Sequence, residues 1–292
     1  MTVVIKIGGA RAVDPKGALS DVATLTDDED VIVLHGGSTK VDETLERLGI
    51  EPEYVETPSG VVGRFTDEAT MEAFEMAMPG VLNTDLVASL QSLGVDAVGL
   101  SGVDGKLLAG PRKSAVRVVE DGKKKIRRGD HSGTIKQVNT DLLETLLDSG
   151  FTPVASPPMA GKDSEARSAS DSRAAEPRDD GDEWVPVNTD ADRSAAAIAG
   201  AMGATLVLLT DVPGILEDPD DESTLIETVE TDAEFATLED AAEGFMGRKV
   251  MAAEEALDGG ADEVIVADAN ADDPILSALD GDGTHIYQEA LQ

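Results

Sequence analysis

The chain has 292 residues, 41% of them hydrophobic, with 59 acidic against 23 basic residues and a formal net charge of −36. Apolar blocks of strand and helix length recur throughout, which supports a real core in one large or two modest domains and excludes a disordered acidic chain. The carboxylate surplus repels nucleic acid and anionic membrane and reads as the solvated surface of a halophilic protein, while the lack of cysteine excludes disulfides, thiol catalysis and Cys-ligated metal.

The first element is residues 3–7, a β-branched run that predicts a buried strand, with Lys6 inside it and Gly8-Gly9 closing it. A cation at a strand end beside bare backbone suits a phosphate. The chain enters this strand without a leader, and its longest uncharged run, between Arg193 and Asp211, falls short of the ~20 residues of a bilayer span. A soluble, cytoplasmic protein is therefore expected. The opening pattern nearly recurs at 31–34, followed by His35-Gly36-Gly37-Ser38, so two Gly-Gly strand ends are available to cradle one polyphosphate. His35 reads as a hydrogen-bonded strand-end residue rather than a catalyst.

Helical patterns follow at 40–48, 66–78 and 82–93, the second preceded by Gly63-Arg64-Phe65 and carrying Met71, Phe74 and Met78 on one face. That face is either core or an interface between two copies. A strand at 97–100 runs into Ser101-Gly102-Val103-Asp104-Gly105, where Asp104, like Asp67 earlier, suits a turn or cap. Residues 106–136 hold ten Lys or Arg against three Asp or Glu, including Lys123, Lys124, Lys125, Arg127 and Arg128 after an Asp121-Gly122 turn. In so acidic a chain this cationic hairpin is the largest electrostatic anomaly. It steers an acidic partner, or it pairs with the chain's own carboxylates.

A helix at 141–147 and a strand at 152–155 come next. The stretch 162–183 has no large apolar residue and is expected to be an exposed loop and a domain boundary. Beyond it, Asn188-Thr189-Asp190-Ala191-Asp192 precedes an Ala-rich helix, and a strand at 205–209 ends in Thr210-Asp211-Val212-Pro213-Gly214. Gly247-Arg248-Lys249-Val250 opens a helix at 247–257, and a strand at 263–267 follows. Strands and helices that alternate in this way predict an α/β fold with a mostly parallel, doubly covered sheet.

Three familiar phosphate signatures are missing. No Gly-x-x-x-x-Gly-Lys-[Ser/Thr] occurs, which excludes a Walker-type NTPase, and no Gly-x-Gly-x-x-Gly follows a strand. The three histidines show no metal spacing. What remains is the ordered set Lys6-Ile7-Gly8-Gly9, His35-Gly36-Gly37, Gly63-Arg64-Phe65-Thr66-Asp67, the Ser101 turn, Asn188–Asp192, Thr210–Gly214 and Gly247–Val250.

This set resembles the amino acid kinase family over essentially the whole chain, and within it the acetylglutamate kinases. The Arg64-Phe65-Thr66-Asp67 variant and the basic hairpin look still more like the archaeal relatives. Those enzymes phosphorylate glutamate or aminoadipate carried on a small acidic amino-group carrier protein of the LysW type, in arginine and lysine biosynthesis. The resemblance implies an αβα sandwich with a central, mostly parallel sheet in two lobes, 1–183 for the amino-acid substrate and 184–292 for the nucleotide. It implies transfer of the γ-phosphoryl of ATP to a side-chain carboxylate, with Mg²⁺ arriving on the nucleotide and no protein metal cage, and a homodimer.

By the same resemblance Lys6 and Lys249 neutralise the moving phosphoryl, Asp192 positions both lysines, and Asp190 is left as the helix cap. Gly8, Gly9, Gly36 and Gly37 approach the phosphates. Arg64 grips the acceptor's other carboxylate, Asn188 bonds its amide, and Thr210, Asp211 and Gly214 contact the nucleotide. The five hairpin cations meet the carrier. Read singly, Lys6 also suits a snorkelling edge lysine, Lys249 a solvent-facing helix lysine, and either aspartate an N-cap. Two departures stand out: Ser38 where many relatives have a third glycine, and a long 162–183 loop. The alternatives are a kinase of free N-acetylglutamate and a non-catalytic regulatory protein on the same fold.

Overall fold

The computed structural model describes residues 1–8, 15–58, 60, 62–120, 122–163, 183–242 and 245–291. Gly9 and most of the predicted 162–183 loop lie outside the described residues. In chain order the elements are β1 (Thr2–Ile7), α1 (Pro15–Leu25), β2 (Asp30–His35), α2 (Ser38–Leu48), β3 (Tyr54–Glu56), β4 (Val62–Arg64), α3 (Glu68–Glu75), α4 (Asn83–Ser92), β5 (Ala97–Gly102), β6 (Leu108–Glu120), β7 (Lys123–Gly133), β8 (Gln137–Val138), α5 (Thr140–Asp148), β9 (Thr152–Asp163), β10 (Glu183–Val187), α6 (Ala191–Met202), β11 (Thr205–Thr210), β12 (Thr228–Val229), α7 (Asp232–Ala241), α8 (Phe245–Asp258), β13 (Glu263–Asp268), α9 (Pro274–Leu279) and β14 (Thr284–Tyr287).

A twelve-stranded sheet runs β12-β14-β13-β11-β1-β2-β9-β6-β7, with β5, β8 and β10 attached to β9 or β6. Its middle is parallel: β11, β1, β2 and the first half of β9 follow one direction. The cationic stretch forms the antiparallel β6–β7 hairpin at one end. The predicted strand at 152–155 continues to Asp163, because its second half finds new partners in β6 and β10.

The period of two in β1 sets the layers. Val3, Ile5 and Ile7 pack with Ala18, Leu19 and Val22 of α1, Leu90 of α4 and Ile275 of α9. Val4 points the other way, into Ile198 of α6, Leu143 of α5 and Val250 and Ala253 of α8. Lys6 shares the face of Val4, so its side chain is delivered to the α6 and α8 layer. Helices thus cover both faces of a mostly parallel sheet, as the alternation predicts.

A third, smaller cluster joins Val41 and Leu45 of α2 to Met71, Phe74, Ala77 and Met78. The apolar face of the 66–78 pattern is therefore core. The helix itself starts later than expected, since Asp67 caps it by accepting from the Thr70 N–H at 2.8 Å. Nor does it stop at 78: a π-helical turn, Met76–Leu82, contains Pro79 and leads straight into α4.

Candidate active site

The parallel strands end on one edge of the sheet, and the candidate residues collect there. Lys6 lies opposite Leu34 of β2 and Leu208 of β11, near the carboxyl end of β1. Asp192 stands in the first turn of α6, where Asp190 serves as the cap by accepting from the Arg193 N–H at 3.1 Å. Lys249 stands in the first turns of α8. The two helices pack together above β1, which brings three residues far apart in sequence to one point. Lys6 Nζ is 2.6 Å from Asp192 Oδ1, and Lys249 Nζ is 3.5 Å from Asp192 Oδ2.

Lys6 is 7% exposed and Lys249 9% exposed. Burying two ammonium groups is costly unless each is compensated. One carboxylate serves both, so the contact set is two cations to one anion. Burial alone would raise the Asp192 carboxyl, but the two ammonium groups outweigh it and hold the carboxyl below the usual range. Burial, reinforced by repulsion from Lys6, pushes the Lys249 ammonium down despite Asp192. An arrangement of this kind holds a polyanion between two fixed cations.

Gly8 closes β1 and Gly36 and Gly37 close β2 on the same edge. The Gly36 N–H already donates to Ile7 O at 3.2 Å. At Gly37, φ is 174°, and a Cβ there would sit 2.2 Å from Leu82 Cδ1 and 2.4 Å from Met78 Sδ, the movable ends of two side chains. His35 is buried, donates from Nδ1 to Gly36 O at 3.0 Å and accepts at Nε2 from Asn83 at 3.1 Å. Burial lowers it to about 4, so it stays neutral at ordinary pH.

Arg64 leaves the β3–β4 hairpin toward α2. Its Nη2 is 2.7 Å from Asp42 Oδ1 and 3.2 Å from the Tyr54 hydroxyl, with Ser38 O at 3.4 Å. Its Nη1 is buried without a partner. This guanidinium is thus held through one nitrogen, while the other keeps unused donor capacity. Asn188 lies between β10 and α6 and donates from Nδ2 to Thr66 Oγ1 at 3.0 Å. Thr210 and Asp211 stand at the carboxyl end of β11, bonded to each other at 3.3 Å. Gly214 is buried, and a Cβ there would meet Leu225 at 2.6 Å and Thr284 at 2.7 Å.

The hairpin divides its cations between two faces. Arg127 binds Glu53 through both guanidinium nitrogens and lies 4.3 Å above the Phe65 ring, and Lys125 pairs with Glu120 at 2.8 Å. Internal pairing thus accounts for these two. Lys123, Lys124 and Arg128 are exposed and have no carboxylate partner among the described residues. Register sets Lys124, Ile126 and Arg128 on one face opposite Val119, Arg117 and Ala115. Ile126 is 68% exposed there.

Sequence reasoning missed Asp42, Tyr54, Asp130 and His131. Each acts by holding a residue that the motifs did identify, and such contacts cross long separations with no local signal. A cleft of about 290 Å³ is lined by Thr134, Lys136, Thr189, Arg193 and Glu255. It excludes Lys6, Asp192 and Lys249, so charge rather than volume marks the site. Among the described residues no three His, Asp or Glu side chains gather as a metal site.

Known proteins resemble this chain over nearly its whole length. The [LysW]-aminoadipate kinase of Thermus thermophilus is 40% identical over 288 residues, covering 97% of this chain and 98% of that protein. Its counterpart in Deinococcus radiodurans is 42% identical, covering 97% and 90%. An acetylglutamate kinase of Methanopyrus kandleri is 38% identical, covering 96% and 98%. Among solved structures, an N-acetylglutamate synthase of Neisseria gonorrhoeae matches with TM-score 0.71 and 25% identity over 99% of this chain; the chain spans 60% of that longer protein. A carbamate kinase of Giardia lamblia shares the fold, with TM-score 0.64 and 16% identity over 98% of both chains. The family model for amino acid kinases matches residues 1–268. Fold, paired lysines and relatives agree, and the chain belongs to the amino acid kinase family.

Proposed function

We propose that this protein transfers the γ-phosphoryl of ATP to the side-chain carboxylate of glutamate or 2-aminoadipate held by its amino group on a small acidic carrier protein. The single observation that carries the reading is the pair of buried lysines sharing Asp192. An ionised carboxylate needs no general base, since its pKa of ~4.3 leaves it ionised at neutral pH. The acceptor oxygen attacks the γ-phosphorus, a new O–P bond forms, and the bond to the ADP oxygen breaks. The difficulty is bringing two anions together. Lys6 and Lys249 offset that repulsion, and Asp192 holds both ammonium groups in place. Arg64, whose Nη1 has no partner among the described residues, takes the acceptor's second carboxylate, and Asn188 its amide.

Mg²⁺ fits this site as an ion carried by the phosphates, mostly hydrated, where it would offset phosphate charge. Residues 184–292 supply the nucleotide side through Thr210 and Asp211, and residues 1–183 the acceptor side through Arg64, which Asn188 joins from the second segment. The exposed hairpin face, with Arg117, Lys124 and Arg128 around Ile126, suits an acidic carrier. Arg117 joins this set from the strand register. Among the described residues no helix is long and apolar enough to cross a membrane. A cytoplasmic place in arginine or lysine biosynthesis, and a homodimer, complete the reading.

The Methanopyrus relative favours one second reading, a kinase of free N-acetylglutamate. The two separate in one assay. ADP formation is measured with ATP and either N-acetylglutamate or carrier-linked glutamate and aminoadipate. Carrier-dependent turnover supports the proposal. Equal or faster turnover of free N-acetylglutamate, indifferent to carrier, overturns it.

A further inference from the structure

The base of the cationic hairpin is built into the acceptor site. Asp130, on β7, is 3% exposed. Its Oδ1 accepts from the Thr66 N–H at 3.3 Å, and its Oδ2 accepts from the Ser132 hydroxyl. The next residue, His131, donates its N–H to Thr66 O at 2.7 Å and accepts at its own carbonyl from the Asn188 N–H at 2.7 Å. Gly133 donates to Asn188 O at 2.9 Å. Thr66 Oγ1 closes the circuit by accepting from Asn188 Nδ2. Arg112 reaches the Asp130 carbonyl at 3.4 Å and pairs with Asp163, which anchors this strand to β9.

Residues 130–133 therefore stand between Thr66, which follows Arg64 by two, and Asn188, which precedes Asp192 by four. None of the sheet's parallel core holds these two segments together. We propose that Asp130 is a positioning residue that fixes the spacing between the Arg64–Thr66 segment and Asn188, and so sets the length of acceptor the site grips. The assignment rests on the reading of Arg64 and Asn188 as acceptor contacts. A buried carboxylate with two donors is a firm spacer. Removing it leaves the Thr66 N–H and Ser132 hydroxyl without their acceptor.

The experiment combines kinetics with amide hydrogen exchange on the full-length protein. Asp130→Ala should raise the KM for the carrier-linked acceptor about tenfold, with kcat and the KM for ATP within about twofold, the pattern of lost uniform binding on one substrate only. Asp130→Asn, which keeps an acceptor for the Thr66 N–H, should raise it only about threefold. The ratio of glutamate to aminoadipate turnover should change along the same series. Peptides containing Thr66 and Asn188 should exchange faster in Asp130→Ala while those of β1 and β11 do not. If Asp130→Ala does not fold, Asp130→Asn and Ser132→Ala carry the test through the same readouts.

Unchanged acceptor KM in every variant, or equal rises in both KM values, overturns the proposal. If the wild type turns over no carrier-linked acceptor, the functional reading fails instead. Exchange at Thr66 and Asn188 then still decides whether Asp130 is the spacer, and unaltered exchange overturns it.

Discussion

At the residue scale the governing fact is one carboxylate between two buried ammonium groups. Lys249 titrates below its ordinary range because burial and Lys6 both disfavour its charge. The sign follows directly: as pH rises, Lys249 loses its proton earlier than a solvated lysine of pKa ~10.4 would. The alkaline limb of kcat/KM should lie below that value. In Asp192→Asn, which removes the nearest anion favouring the charged Lys249, the limb should move lower still and kcat should fall by roughly 10²-fold or more. A pH–rate profile that falls at the ordinary lysine value in both forms would refute this account. Gly37 shows a different constraint. A side chain there would have to displace the ends of Met78 and Leu82, so packing disfavours a larger residue at this position whatever the glycine also does for phosphate.

Among the elements, the hairpin and α9 make separate demands. Lys123, Lys124 and Arg128 carry the exposed charge, whereas Arg127 and Lys125 are held by Glu53 and Glu120. Replacing the first three by Ser should weaken carrier-dependent kcat/KM and flatten its salt dependence, while ATP binding stays unchanged. Carrier kinetics that ignore the substitution would count against docking there. Replacing Arg127 instead should also disturb Phe65 and the strand leading to Arg64. Helix α9 has no side-chain cap of its own at Asp273. Buried Asp21 of α1 substitutes, accepting from the Ile275 and Leu276 N–H groups at 2.7 and 3.2 Å. Asp21→Ala leaves both donors without that acceptor on the sheet face away from the lysines. It should cost about 1–3 kcal/mol in denaturant unfolding and leave the KM values unmoved. An unshifted midpoint would show that water caps the helix equally well.

Over the whole molecule the charge of −36 sets the response to salt. Self-repulsion of surface carboxylates reaches about 10 Å at 0.1 M salt and about 3 Å at 1 M. Tm should therefore climb as KCl is raised from low to molar concentration, and a flat Tm would contradict this origin of the acidity. The sequence made much of this legible. Near-continuous apolar strands with helical periods between them revealed the layered sheet, and Lys6, Asp192 and Lys249 stood out through ordered motifs. It hid what depends on long-range partners: the continuation of β9, the reach of Asp130 to Thr66, and the capping of α9 from α1. The patterns at 66–78 and 82–93 read as two separate helices, yet the chain carries Pro79 in a widened turn and continues from one into the other. Finally, β1 is bonded on one side to a strand from the first half of the chain and on the other to a strand from the second. The strands of the two halves are thereby joined into one continuous sheet, with core side chains from both packed on its faces. Heating should produce one calorimetric peak, with catalytic competence and secondary structure vanishing together.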